Sequence, residues 1–328
     1  MTRVAINGFG RIGRAAFKVL LETEDTQVVA INDLIPADNL AYLLRFDSVY
    51  GRYHHPVEVN DNELTVNGQK IPVLGVKNPA DLPWKQMNVD VVIESTGVFD
   101  KRDDLVKHLE AGAKHVVLSA PTKSEDVPTV VHGVNTPDGT DVVSCASCTT
   151  NCITPVVEVM QRRIGVEKAM LTTVHSYTST QGIVDSPSKK LRRGRAAAAN
   201  QVPTSTGAAV ATTKALPGLA GRFDGVAIRV PTPVGSISDI VFITSRETSV
   251  DEIRKVFLEE AESDRYRGIL GASDDELVSS DIVGDPRASI VDLGMTRVVD
   301  GNLVKIMAWY DNEWGYANQL VRELCSIE

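Results

Sequence analysis

Short apolar runs recur through the first 145 positions, at residues 4–6, 27–31, 89–95, 115–119 and 141–145. Runs without a polar face predict strands covered on both sides, as in a parallel sheet. Between the first two, apolar positions in residues 14–21 follow a helical period, so the chain opens as strand, helix, strand. Residues 45–70 alternate short strand-like pieces with the polar turns Asn60-Asp61-Asn62 and Asn67-Gly68, and read as an inserted hairpin region. Beyond residue 148 the texture changes. A helix-patterned run at 152–164 leads to a strand at 170–177, then to a long basic stretch without periodicity at 178–201. Strands are expected at 226–230, 238–244, 288–293 and 303–310, and a helix at 250–262 opened by Ser249. A last helix, 314–325, places Ala317, Leu320, Val321 and Leu324 on one face. The pattern predicts an α/β domain with a mostly parallel sheet, followed by an α+β domain with a mixed sheet.

A length of 328 residues fits two domains of ordinary size. The expected division is residues 1–148, completed by the C-terminal helix 313–328, and residues 149–312. With 43% hydrophobic and 23% charged residues, and no apolar run near the roughly 18 residues that span a bilayer, no membrane is expected. The start Met1-Thr2-Arg3 enters a strand at once and leaves no room for a signal peptide, so the expected location is cytoplasmic. A net charge of −9 argues against nucleic acid or anionic membranes as partners, and anionic substrates would need local basic groups. Cys145, Cys148 and Cys152 are spaced C-x-x-C-x-x-x-C, but the run continues into a helix and no second cluster completes four ligands, so no metal is expected.

The turn after the first strand reads Gly8-Phe9-Gly10-Arg11-Ile12-Gly13, and Asp33 ends the second strand. Here the first glycine permits the turn, the second lets backbone approach a pyrophosphate, and the third packs helix on strand. Asp33 can bond a ribose diol. The first domain therefore has the signature of a Rossmann-type dinucleotide site, with further loops at the C-terminal strand edge carrying Ser95-Thr96-Gly97 and Ser119-Ala120-Pro121.

Cys148 lies where a strand turns into a helix, so unpaired N–H groups and the macrodipole would favour a thiolate and could hold an oxyanion. A lone cysteine is more often a small buried hydrophobe. The remaining motifs favour chemistry: the chain resembles the phosphorylating glyceraldehyde-3-phosphate dehydrogenase family essentially end to end. The resemblance rests on the run 7–14, Glu94-Ser95-Thr96-Gly97-Val98-Phe99, Ala146-Ser147-Cys148-Thr149-Thr150-Asn151-Cys152, Thr173-Val174-His175-Ser176-Tyr177-Thr178, Ser205-Thr206-Gly207-Ala208-Ala209, Arg229-Val230-Pro231-Thr232-Pro233 and the run 309–315.

That resemblance implies attack by Cys148 on an aldehyde, hydride loss to NAD, and displacement of the thioester by inorganic phosphate, with His175 as general base. It implies Thr178 and Arg229, with Arg195 shared, for the phosphate of a triose phosphate, and Ser147, Thr149, Thr206 and Gly207 for the attacking phosphate. Around the coenzyme it implies Gly8, Gly10, Arg11, Ile12, Gly13, Asp33, Lys77, Thr96, Ser119 and Asn312. Lys77 stands where Arg is common, Cys145 where Asn is usual, and Ser186-Pro187 where NAD-preferring members often carry Leu-Pro or Gly-Pro. NAD is the expected coenzyme with NADP as a secondary one, and a homotetramer is implied. For Arg192 and Arg193 a solvated or subunit-facing role stands equally open. The other five histidines receive a structural reading. The rival activities are erythrose-4-phosphate dehydrogenase, a reductase of acyl phosphates, and an interaction protein without catalysis.

Overall fold

The computed structural model describes residues 1–136 and 139–327. The chain divides into two compact units: Met1–Val130 with the run ending at Ala146 and the stretch from Leu320 form one, and Val131–Thr136 with Ser147–Gln319 form the other.

The first unit is built on one eight-stranded sheet. Its parallel part runs Val142–Ser144, His115–Leu118, Val91–Glu94, Thr2–Asn7, Thr26–Asn32, Gln69–Leu74. Glu63–Val66 and Val57–Asn60 add to the last of these antiparallel, so the expected hairpin region extends the sheet edge. Val4, Ala5, Ile6, Val92 and Ile93 are fully buried, which explains their lack of a polar face. Strand order reverses at Thr2–Asn7, and in such sheets the reversal leaves a crevice at the carboxyl ends of the strands.

The second unit carries a seven-stranded mixed sheet in the order Val202–Ser205, Phe223–Val230, Val166–Ser176, Ser236–Thr244, Leu303–Tyr310, Ser289–Val299, Leu270–Ser273. Burial alternates along its central strands, as in Ser236–Thr244, because one face is covered and the other is not. The covered face meets the helices Cys148–Arg163, Ala208–Ala215 and Val250–Ala261 through Ile153, Val156, Leu171, Phe242, Phe257 and Ile306.

Helices Ala37–Arg45, Arg102–Glu110 and Ala208–Ala215 fall outside the expected elements. The helix begins at Cys148, where the strand was expected to turn into it, ahead of the periodic run at 152–164. Thr149, Thr150 and Asn151 are weak helix formers, so propensity alone conceals this start. Residues 178–201 hold only the short 3-10 turn Leu191–Gly194, as their lack of periodicity predicts. Among the described residues no helix is long and apolar enough to cross a membrane.

Candidate active site

Cys148 is the first residue of its helix, and Ser147 is the cap: its Oγ accepts a hydrogen bond from the Thr150 N–H at 3.2 Å. Ala146 adopts φ 54°, a left-handed conformation costly for a residue with a Cβ, at the turn from strand to helix. The turn leaves the Cys148 side chain half-buried, with Sγ 3.4 Å from Nε2 of His175.

His175 comes from strand Val166–Ser176, in register with Arg229 on the neighbouring parallel strand. Its Nδ1 lies 2.8 Å from both the Ser176 carbonyl and Nη1 of Arg229; in the tautomer that donates Nδ1–H to the carbonyl, the Nε2 lone pair faces the thiol. Arg229 Nη1 donates to the same carbonyl at 2.8 Å, and Nε of Arg229 is buried without a partner. The Tyr310 ring meets the imidazole edge-on at 5.9 Å, and its hydroxyl bridges Thr149 and Thr173, each at 2.9 Å. Tyr310 thus fixes the base and the residue after the nucleophile together. A buried tyrosine at the end of a strand gives no sequence signal beyond its motif.

Burial pushes the Cys148 thiol up, opposed by the Arg229 cation and by hydrogen bonding from Thr149. Burial, and then Arg229, push His175 down to about 3. In the unliganded site these shifts favour a neutral thiol beside a neutral imidazole, rather than the ionised sulfur expected from the helix start alone. Arg229 and the helix N–H groups are the groups that stabilise negative charge on sulfur once it forms.

Gly207 caps helix Ala208–Ala215, and the Thr206 hydroxyl accepts from the Ala208 N–H at 3.2 Å. The Thr178 hydroxyl is exposed and bonds Thr180. Thr149 is 4% exposed, its hydroxyl directed to Tyr310. Arg195 pairs with Asp185 at 2.9 Å, whereas Arg193, bonded to Thr204, lies close enough to lower the proton affinity of His175 and Arg229. Asn312 is 5% exposed; its Oδ1 accepts from Ser176 Oγ, Ser236 Oγ and Gly235 N–H, which leaves Nδ2 to donate.

In the first unit a cavity of about 660 Å³ is lined by Gly8, Gly10, Asp33, Lys77 and Thr96 among others. A Cβ on Gly13 would lie 2.1 Å from the Gly8 carbonyl, and one on Gly8 2.6 Å from the Thr96 N–H. Strand, turn and helix are therefore too close for side chains at either position. No side chain caps helix Arg11–Leu21 behind Gly10, and a helix N-terminus favours an anion. The Arg11 guanidinium turns to Asp47 at 2.7 Å, so Arg11 and Ile12 offer their backbone rather than a side-chain charge. Asp33 is held by the N–H groups of Phe9 and Ile35 at 2.7 and 3.0 Å. Ser119 lies outside the lining, with its N–H on the Glu94 carbonyl.

Sequence reasoning missed a buried network behind this crevice. Trp84 Nε1–H donates to His108 Nδ1 at 2.9 Å, so the His108 proton sits on Nε2 and is donated to Glu94 Oε2 at 3.2 Å. Asn7 Nδ2 donates to the same oxygen at 2.5 Å, and Oε1 accepts from the Thr96 N–H at 2.8 Å. Asn32 Nδ2 continues the chain to Asn7 Oδ1 at 2.7 Å. Asn7, Asn32 and Thr96 line the cavity, so the network sets its wall.

A family model described as the NAD binding domain of glyceraldehyde 3-phosphate dehydrogenase matches residues 2–102, and one for the C-terminal domain matches residues 147–312. The chain belongs to the glyceraldehyde-3-phosphate dehydrogenase family. The glyceraldehyde-3-phosphate dehydrogenases of Streptomyces coelicolor and Geobacillus stearothermophilus are each 49% identical to it, over 97% of this chain and 96% of the relative. A third, from Trichormus variabilis, is 46% identical over 99% of this chain and 96% of its own length. As a member of the glyceraldehyde-3-phosphate dehydrogenase family the chain is an NAD-dependent oxidoreductase, and the glycine cradle with Asp33 fits that dinucleotide.

Proposed function

We propose that the protein oxidises glyceraldehyde 3-phosphate to 1,3-bisphosphoglycerate, with inorganic phosphate as second substrate. The observation that carries this reading is Cys148 Sγ at a helix start, 3.4 Å from Nε2 of His175, with Arg229 beside both. Cys148 Sγ adds to the aldehyde carbon while His175 Nε2 takes the thiol proton, which passes to the carbonyl oxygen to give a hemithioacetal. His175 then removes that hydroxyl proton, and the electron pair re-forms the C=O bond as hydride leaves. Bound NAD supplies the hydride acceptor. Phosphate oxygen attacks the resulting thioester carbon, the C–S bond breaks, and Cys148 leaves as a thiolate that Arg229 and the helix N–H groups stabilise.

Arg229 and Thr178, with Arg193 or Arg195 from the basic loop, are assigned to the substrate phosphate. Ser147, Thr206 and Gly207 are assigned to the attacking phosphate, and Asn312 Nδ2 to the nicotinamide carboxamide. Replacing His175 by Asn should lower kcat about 10²–10⁴-fold, and Cys148→Ser should cost at least about 10⁴-fold. Steady-state NADH formation with and without phosphate tests the assignment. Turnover independent of phosphate would transfer the reading to a non-phosphorylating relative such as erythrose-4-phosphate dehydrogenase. Asp33 supports preference for NAD, with NADP used less efficiently because a 2′-phosphate would meet a carboxylate.

The assignment extends to a cytoplasmic homotetramer. The face of the seven-stranded sheet opposite its helices exposes Met170 at 58% and Val226 at 52%, with the partly exposed Val241 and Ile243 beside them. A half-apolar sheet face of this kind is what association of copies would cover.

A further inference from the structure

Glu22, His54 and His55 form a cluster that the dehydrogenase chemistry does not use. His54 Nε2 is 3.7 Å from Glu22 Oε1, the two imidazole centroids are 4.0 Å apart, and the three donor atoms all lie within 4.8 Å of one another. We propose that these three side chains bind a divalent transition-metal ion, with Zn²⁺ the best match to two imidazoles and one carboxylate.

Tyr53 packs edge-on against both rings, at 5.1 Å from His54 and 5.4 Å from His55, which keeps the two imidazoles on the same side as Glu22 while their exposed edges stay free to turn. Glu22 is the C-cap of helix Arg11–Leu21, where the terminal carbonyls already carry partial negative charge. A carboxylate there is unfavourable by itself, and a bound cation would reverse that. Lys18, one turn earlier, is the opposing charge, but its Nζ is directed over the Tyr53 ring at 4.9 Å, and burial lowers its proton affinity.

Zinc bonds of about 2.0–2.1 Å in a tetrahedron place ligand atoms about 3.4 Å apart. The Glu22–His54 pair is already near that separation. The remaining closure needs rotation about side-chain bonds of exposed or half-exposed residues. Three protein ligands leave a position for water. Imidazole and carboxylate donors without thiolate also admit Ni²⁺ and Cu²⁺, and disfavour Mg²⁺, which demands oxygen ligands.

The test uses the full chain carrying Cys148→Ser, which removes the thiol that could itself capture zinc. Titration calorimetry with zinc chloride should find one site per chain that is lost or weakened at least about tenfold in His54→Ala/His55→Ala and in Glu22→Gln. Loss of an outer-shell partner alone typically costs about 10–100-fold, so loss of a ligand should cost no less. Zinc should also raise the thermal midpoint of the parent and not that of the double variant. Equal zinc affinity in parent and double variant, or no binding to the parent, would overturn the proposal. All three positions lie at the surface, so the variants should fold, and unchanged midpoints without zinc check this.

Discussion

At the residue scale Arg229, the cation proposed for the substrate phosphate, is also a charge that biases the proton between Cys148 and His175. Its removal should therefore show before any substrate binds. In Arg229→Gln the pH midpoint for alkylation of Cys148 by iodoacetamide should rise by about one to three units, the usual influence of an adjacent opposite charge. An unchanged midpoint would leave Arg229 with binding alone. His175 supplies a second expectation. Its pKa is lowered to about 3 in the folded chain, against about 6.5 when exposed, so between these values the unfolded state binds a proton that the folded state does not. Stability should accordingly be lost as pH falls from about 6.5 toward 3, by up to about 1.4 kcal/mol per unit from this group. Denaturation of His175→Asn across that range should show a shallower dependence on pH; an identical slope would assign the acid sensitivity elsewhere. The first effect arises from a neighbouring charge and the second chiefly from burial, and no motif announces either.

At the scale of elements, two strand-to-helix turns do most of the positioning. The first needs glycine at 8 and 13 because backbone occupies the space of a side chain. The second needs a cap: Ser147→Ala should cost about 1 kcal/mol and slow phosphorolysis, measured by denaturant midpoint and phosphate KM. Behind the first turn the Glu94 network joins strand Val91–Glu94 to helix Arg102–Glu110 through His108. Glu94→Leu would remove the acceptor of the buried Asn7 Nδ2 and His108 Nε2 and of the Thr96 N–H at the cavity wall. It should destabilise by about 3 kcal/mol and weaken NAD binding in the same variant. Preserved NAD affinity despite lost stability would separate the network from the crevice. The glycine turn was legible because its spacing encodes its geometry. His108 was not, since a histidine in an amphipathic helix looks the same whether it faces water or a buried carboxylate.

For the whole molecule, the uncovered face of the second sheet is the feature that demands a partner. Strand Ser236–Thr244 alternates strictly, yet the outward set of the sheet retains Met170, Val226, Val241 and Ile243 where a solvated sheet would place polar side chains. Met170→Asp together with Val241→Asp should shift the protein to smaller species by light scattering, with little change in far-UV circular dichroism. A protein that is monomeric before mutation would remove the argument. The fold itself was largely readable at this scale. Buried runs without a polar face pointed to the parallel sheet, because periodicity records how many faces a strand buries, and strands gathered around one long helix pointed to the α+β domain.

The amino-acid sequence alone determined the two architectures and the dinucleotide turn, since each depends on local spacing or on a run of adjacent residues, and its resemblance to the family pointed to Cys148 and His175 as the proposed nucleophile and base. Tertiary structure decided what depends on distance through space. It directed Arg195 to Asp185 and brought the charge of Arg193 to bear on His175, although both arginines lie in one basic stretch. It turned the Arg11 side chain to Asp47, joined Tyr310 to Thr149 and Thr173, and brought Glu22 beside a histidine pair more than thirty positions away in the chain. Side-chain direction and burial come from packing between distant segments, and these set the proton affinities on which the chemistry runs.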